Sequence, residues 1–238
     1  MRVLCIQSQC ASYEKRDRFL SLLSDIGAFT HENEPRTIAY SWFKSTGDDP
    51  EFPNHHLRGF EVYEDEHASK VTHRSSEPYK KMRSVVGPEG ILEKPTDLSY
   101  CQPTGIGFLT RPDHGVTVFQ GIAKETQAER SHIEVVNIQP KPGMKPEILQ
   151  GIKALAAQIE TEAGNGILSF WCLEFLPEYA NDGIILFSRY EDRNAYLRHL
   201  DSREKEPTMA NISLKSDTLS ASLWEESSIG FIGRTSSS

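Results

Sequence analysis

The chain is short of most features that announce a chemistry. Only four of its 238 residues are cysteine (Cys5, Cys10, Cys101, Cys172), with no CxxC pair and no histidine spaced as a fellow zinc ligand. A disulfide framework or a structural zinc is not expected, and the thiols read as reduced, which suits a cytoplasmic protein. No apolar run approaches the roughly 20 residues that cross a bilayer. The opening MRVLCIQSQC alternates like a strand and lacks the apolar h-region of a signal peptide. Membrane is therefore not an expected partner. Positive charge is scarce too: 26 Lys and Arg face 34 Asp and Glu, a net charge of −8. Without a clustered basic surface, nucleic acid is not an expected partner either. P-loop, Rossmann, GxSxG and HExxH patterns are missing, and the PTGIG stretch (103–107) has too few glycines for a phosphate loop. Nucleotide-dependent enzymes and serine hydrolases are disfavoured.

What is present is enough apolar sequence, 37%, to bury a core. Residues 2–9 read as a strand, and 13–26 carry Phe19, Leu20, Leu22, Leu23 and Ile26 at helical spacing. The segments 37–44 and 57–63 are rich in β-branched and aromatic residues and read as strands around a Pro-rich loop. A polar amphipathic helix follows over 64–85, with Pro78 marking a break or a second start. A fourth strand is expected within 98–111. The order is β-α-β-β-α-β.

The second half repeats that order. A strand at 132–139 precedes a helix at 147–162, whose face is Ile148, Ile152, Leu155, Ala156 and Ile159. Strands follow at 167–175 and 183–190, then a helix from 192 and a closing strand within 227–234. Local letters recur in the same order: Ile6-Gln7 with Ile138-Gln139, Tyr63-Glu64-Asp65 with Tyr190-Glu191-Asp192, His73 with His199, and GFLTR (107–111) with GFIGR (230–234). The expected fold is α+β: two ferredoxin-like βαββαβ modules in tandem, at 1–112 and 131–238, joined by a connecting segment at 113–130. A four-stranded sheet with helices on one face leaves the other uncovered. The two sheets are expected to pack into one intramolecular, pseudo-dimeric barrel with room for a small apolar ligand. The chain then needs no second copy to close the barrel, so a monomer or a homodimer is compatible with it.

The segments FEVYEDEHASKVTHRSSEPYKKM (60–82) and ILFSRYEDRNAYLRHLDSRE (185–204) resemble the antibiotic biosynthesis monooxygenase domain of the dimeric α+β barrel superfamily. In both, a strand runs into Tyr-Glu-Asp and then a helix bearing His. The resemblance covers most of both halves and specifies fold better than reaction. His199 fits the family spacing and His73 sits one residue later. The second aromatic of the family helix has a counterpart in Tyr79 but none in the second copy, so either copy can be the degenerate one. The resemblance implies a secondary-metabolism enzyme with no metal or flavin cofactor. In it, deprotonation lets an electron-rich aromatic or polyketide-type substrate react with molecular oxygen. A non-oxidative isomerase or cyclase, and a non-catalytic binding or stress-response barrel, remain open.

His73 and His199 lead the candidates, because imidazole titrates near neutrality and can take a proton from a phenol or carbon acid. A histidine pairing with a carboxylate on a helix face is the plain alternative. Tyr40, Trp42, Phe60, Phe170 and Trp171 are candidate cavity walls, or ordinary core. Trp42 and Trp171 fall one residue out of step, so they are expected on opposite sides of their sheets. Glu174 and Arg189 are expected to point outward; inward they would need partners. Asn137 resembles the polar position of heme-degrading relatives, but neither second helix carries the tryptophan that reading wants. His55-His56 lie in a loop without further ligands, His67 among charges, and His132 at a strand start.

Overall fold

Strands buried along nearly their whole length and two capped amphipathic helices build the first module. The computed structural model describes residues 1–111, 114–119, 130–162, 164–204 and 206–234. Strand β1 (Arg2–Gln9) leads to helix α1 (Tyr13–Asn33), which starts where Ser12 Oγ accepts the Lys15 N–H at 3.2 Å. Its buried stripe of Phe19, Leu22, Leu23 and Ile26 faces the sheet. Strands β2 (Thr37–Ser45) and β3 (His56–Tyr63) follow. The single helix expected over 64–85 is in fact two pieces. A π-helical turn at Ala68–His73 is followed by α2 (Glu77–Val86), which restarts at the Ser76 cap with Pro78 in its first turn. Strand β4 (Asp97–Phe108) completes the module, and β5 (Thr117–Val118) is a short addition that the sequence did not suggest. Most of the rest of the expected connecting segment lies outside the described residues.

The second module runs β6 (His132–Pro140), α3 (Lys145–Thr161), β7 (Ile167–Phe175), β8 (Ile184–Tyr190), α4 (Arg193–Glu204), α5 (Pro207–Leu214) and β9 (Ser216–Ile232). Helix α5 was not expected, and β9 is more than twice the length of the closing strand read from the sequence. The fold is α+β, with two ferredoxin-like modules in tandem and antiparallel sheets.

The chain divides into two compact units. One holds Met1–Cys101, His114–Ala123 and Trp224–Ser238, and the other Gln102–Asp113 and Lys124–Leu223. In the first, β1 lies between β4 and β3, β3 pairs with β2, and β2 takes the last part of β9 on its far edge. In the second, β8 lies between β7 and β6, with β4 residues beside β7.

The recurring Gly-Phe-x-x-Arg letters do the same physical job in each unit. Gly230 (φ +88°) passes so close to β2 that a Cβ would lie 1.8 Å from the Tyr40 carbonyl oxygen, and Gly107 (φ +76°) so close to β7 that one would lie 1.9 Å from the Phe170 oxygen. Only glycine fits either place. Arg234 then donates to the carbonyls of His31 and Glu34 at the end of α1 and of Thr37 at the start of β2. Arg111 donates to the carbonyls of Ile159 and Ile167, at the end of α3 and the start of β7. Each guanidinium also covers the Phe of its own motif, at 4.5 Å for Phe231 and 4.9 Å for Phe108. A cation on open helix carbonyls satisfies both their hydrogen bonding and the helix dipole.

Candidate functional site

In the first unit, alternate residues of three strands project toward the helices. Leu4 and Ile6 come from β1, Tyr40 and Trp42 from β2, and Glu61 from β3; Glu61 is the cross-strand partner of both Leu4 and Tyr40. Phe19 and Leu23 of α1 and Tyr79, Met82 and Arg83 of α2 close the space from above. Between them is a cavity of about 110 Å³ with a mouth to solvent. It lies between sheet and helices, not between two sheets as the sequence suggested, because the polar and aromatic alternation points that way. Gly59 leaves room for one of its walls. A Cβ on it would sit 2.9 Å from Cζ2 and Cη2 of Trp42, so the indole lies flat where a side chain would otherwise stand.

His73 enters this cavity from the π-helical turn, an irregularity that recurs at functional sites. It is 3% exposed, and its Nδ1 is 3.0 Å from Glu34 Oε2, with Thr30 Oγ1 at 3.5 Å. Glu34 caps the end of α1, is itself buried, and accepts from Thr37 Oγ1 at 3.2 Å. Its second oxygen, Oε1, is buried without a partner. Burial alone would lower the imidazole pKa, but the hydrogen bond to Glu34 and the charges of Glu61 and Glu34 outweigh it and hold His73 above its ordinary value. The rings of Tyr40, Tyr63 and Tyr79 stand 5.4, 5.6 and 5.3 Å from it. Burial also raises Glu61, despite His73 and the 2.8 Å hydrogen bond from Tyr63. The Tyr40 and Tyr63 hydroxyls are pushed well above 10, first by burial and then by Glu61. Trp42 Nε1 is buried and approaches the Tyr40 hydroxyl without forming a well-shaped hydrogen bond.

The second unit holds the same frame with different contents. Ser188 takes the register position of Glu61, Phe170 that of Tyr40, Cys172 that of Trp42, and Leu186 that of Gly59. His199 hydrogen-bonds the Tyr190 hydroxyl at 2.7 Å, and that hydroxyl donates to Glu134 at 3.2 Å. Glu134 is held by both terminal guanidinium nitrogens of Arg203, at 2.6 and 2.7 Å. Burial, with Arg203 adding to it, lowers His199 to a pKa of about 4. The space beside His199 measures only about 20 Å³. The two histidines therefore sit in unlike surroundings.

The other candidates are dispersed. Phe60 and Trp171 are buried on the sheet faces opposite His73 and His199, and Trp42 and Trp171 do fall out of step as the spacing implied. Phe170 packs its ring 6.2 Å from His199. Asn137 is half-buried, one position off the face that carries Val136 and Ile138. Glu174 stands in an open groove, paired to Lys145 at 3.0 Å and accepting from Gln102. Arg189, expected to point outward, is instead fully buried, with Nε 3.3 Å from Ser169 Oγ. The residues that the sequence reading did not nominate are Glu34, Glu61, Arg74 and Arg83. Among the described residues no group of three or more His, Cys, Asp or Glu could hold a metal. No helix there is long and apolar enough to cross a membrane.

The α+β fold is shared with solved proteins assigned as monooxygenases. A protein assigned as a monooxygenase from Fusobacterium nucleatum superposes with a TM-score of 0.75 at 14% identity, covering 99% of this chain and 96% of its own. One so assigned from Lactobacillus acidophilus gives 0.71 at 10% identity, covering 99% and 98%. An anthrone oxidase-like protein gives 0.61 at 9% identity, covering 98% and 93%. At such identities the likeness is one of fold, and it extends over nearly the whole chain. No family model matches the sequence. No curated protein matches it either.

Proposed function

We infer that the chain is a cofactor-independent enzyme that oxidises a small aromatic molecule with molecular oxygen, in the cavity of the first unit. The observation that carries this reading is the buried Glu34–His73 pair opening onto an apolar, aromatic-walled space. Glu34 fixes the Nδ1 proton, which leaves the second ring nitrogen as the basic one. A phenolic or carbon-acid proton passes to that nitrogen, and the imidazolium so formed is stabilised by Glu34 and Glu61. The resulting carbanion or phenolate attacks dioxygen, forming a C–O bond and a peroxide. Loss of the remaining hydrogen from the same carbon with O–O cleavage then gives a carbonyl and water, so that CH2 + O2 becomes C=O + H2O. Trp42, Phe19 and Tyr79 would hold the ring in place. His199, depressed to about 4 and locked to Tyr190, suits a structural role.

The same pair would also serve an isomerase or cyclase that moves a proton and uses no oxygen. Oxygen uptake with a panel of phenols and anthrone-like ketones separates the readings. Uptake that falls about 100-fold in His73→Ala and persists in His199→Ala is expected. Turnover of the same substrates without oxygen consumption would point to isomerisation, and full uptake in His73→Ala would remove His73 as the base.

A further inference from the structure

The cavity is electrically out of character with its protein. The chain carries a net charge of −8, yet two guanidinium groups, Arg74 and Arg83, line this cavity against the lining carboxylate of Glu61, while His73 is already paired with Glu34. Among the described residues neither arginine is ion-paired. Arg74 donates to the Tyr100 hydroxyl at 3.2 Å and Arg83 is exposed. Glu61 is close enough to Arg74 to interact electrostatically but instead accepts from Tyr63. A half-buried arginine with no carboxylate in direct contact can take an anion, because the fork of N–H donors is matched by carboxylate geometry. The floor is different: Trp42, Phe19, Leu4 and Ile6 make it apolar and flat. At about 110 Å³ the space is somewhat smaller than the roughly 150 Å³ cavity that takes up a benzene.

We propose that the substrate is an aromatic acid: one phenolic ring seated on Trp42 with its hydroxyl toward His73, and a carboxylate at the mouth held by Arg74 and Arg83. The proposal rests on reading the His73 cavity as the substrate site. It narrows that reading, since a fused tricyclic body would have to leave most of its rings outside. Trp42 Nε1, buried without a well-formed bond, is a further donor for a ring substituent.

Isothermal titration of the full chain with 4-hydroxybenzoate and with its methyl ester tests the proposal. The acid should bind at least tenfold more tightly than the ester. Arg83→Ala, a surface change, and Arg74→Ala should each weaken the acid about five- to tenfold and leave the ester within twofold, while Gly59→Leu should weaken both. Equal binding of acid and ester, both lost in Gly59→Leu, would overturn the anion assignment and leave the cavity as the binding site. Acid binding that survives Gly59→Leu, or no acid binding at millimolar concentration, would also overturn it.

Discussion

The Trp42 indole lies across Gly59, its Cζ2 and Cη2 each 2.9 Å from where a Cβ on that glycine would stand. The matching pair in the second unit is Cys172 with Leu186, and the space beside its histidine is far smaller.

Gly59→Ala should therefore force Trp42 into the space and cost about 1–3 kcal/mol of stability by overpacking. Pairing it with Trp42→Phe should recover most of that loss. Denaturant melts of the two single variants and the double variant measure the coupling. Additive losses would show that the ring and the glycine are not in contact.

The two histidines should give opposite pH dependences of stability. His73 has its pKa raised in the folded protein, so its pairing with Glu34 stabilises fully below the unfolded value near 6.5 and fades as pH rises through the folded pKa. Glu34→Gln should thus cost about 1–2 kcal/mol at pH 6 and less at pH 9. Chemical denaturation at both pH values measures this; a loss that is the same at both would refute it.

His199 has its pKa depressed to about 4. Keeping it neutral stabilises above pH 6.5, and that stability drains away as pH falls toward 4, by up to about 3 kcal/mol. His199→Gln should flatten this acid limb. NMR titration of the ring should show it still neutral at pH 5. A midpoint near 6.5 would contradict the buried Tyr190–His199 arrangement.

Arg234 and Gly230 should matter well beyond their position at the chain's end. Gly230→Ala puts a Cβ onto the Tyr40 carbonyl at a left-handed φ and should cost about 2–4 kcal/mol. Arg234→Ala frees the carbonyls of His31 and Glu34 and should cost about 1–3 kcal/mol. Because it loosens the end of α1 that carries Glu34, it should also lower the His73 pKa. Thermal melts with a His73 NMR titration test both effects, and an unchanged pKa would separate the cap from the site.

Much of the fold was legible because its signals are local. The β-branched and aromatic content of 37–44 and 57–63, the stripe on α1, and the recurring Tyr-Glu-Asp and Gly-Phe-x-x-Arg letters are all signals spelled within a few residues. The site was half legible. Tyr40, Trp42 and His73 were nominated and meet in one cavity. Glu34 was not, because the helical spacing read from the sequence stops at Ile26 whereas α1 runs on to Asn33, and the cap residue meets a histidine 39 positions away. Glu61 sits on a strand where alternation marks the face but not what covers it. The inward course of Arg189 was missed for the same reason. No local pattern could tell which of two like histidines has room beside it, since that space is walled by residues from several elements distant in sequence.

The most direct measurement is the ultraviolet-visible spectrum of 4-nitrophenol titrated with the protein just below the pH at which the free phenol ionises. If the Glu34–His73 pair takes a phenolic proton inside the first unit, the phenolate band should grow on binding. It should persist in His199→Ala and vanish in His73→Ala, while the colourless neutral form still binds. A phenolate band of undiminished strength in His73→Ala, or none with the unaltered protein despite binding, would contradict the account.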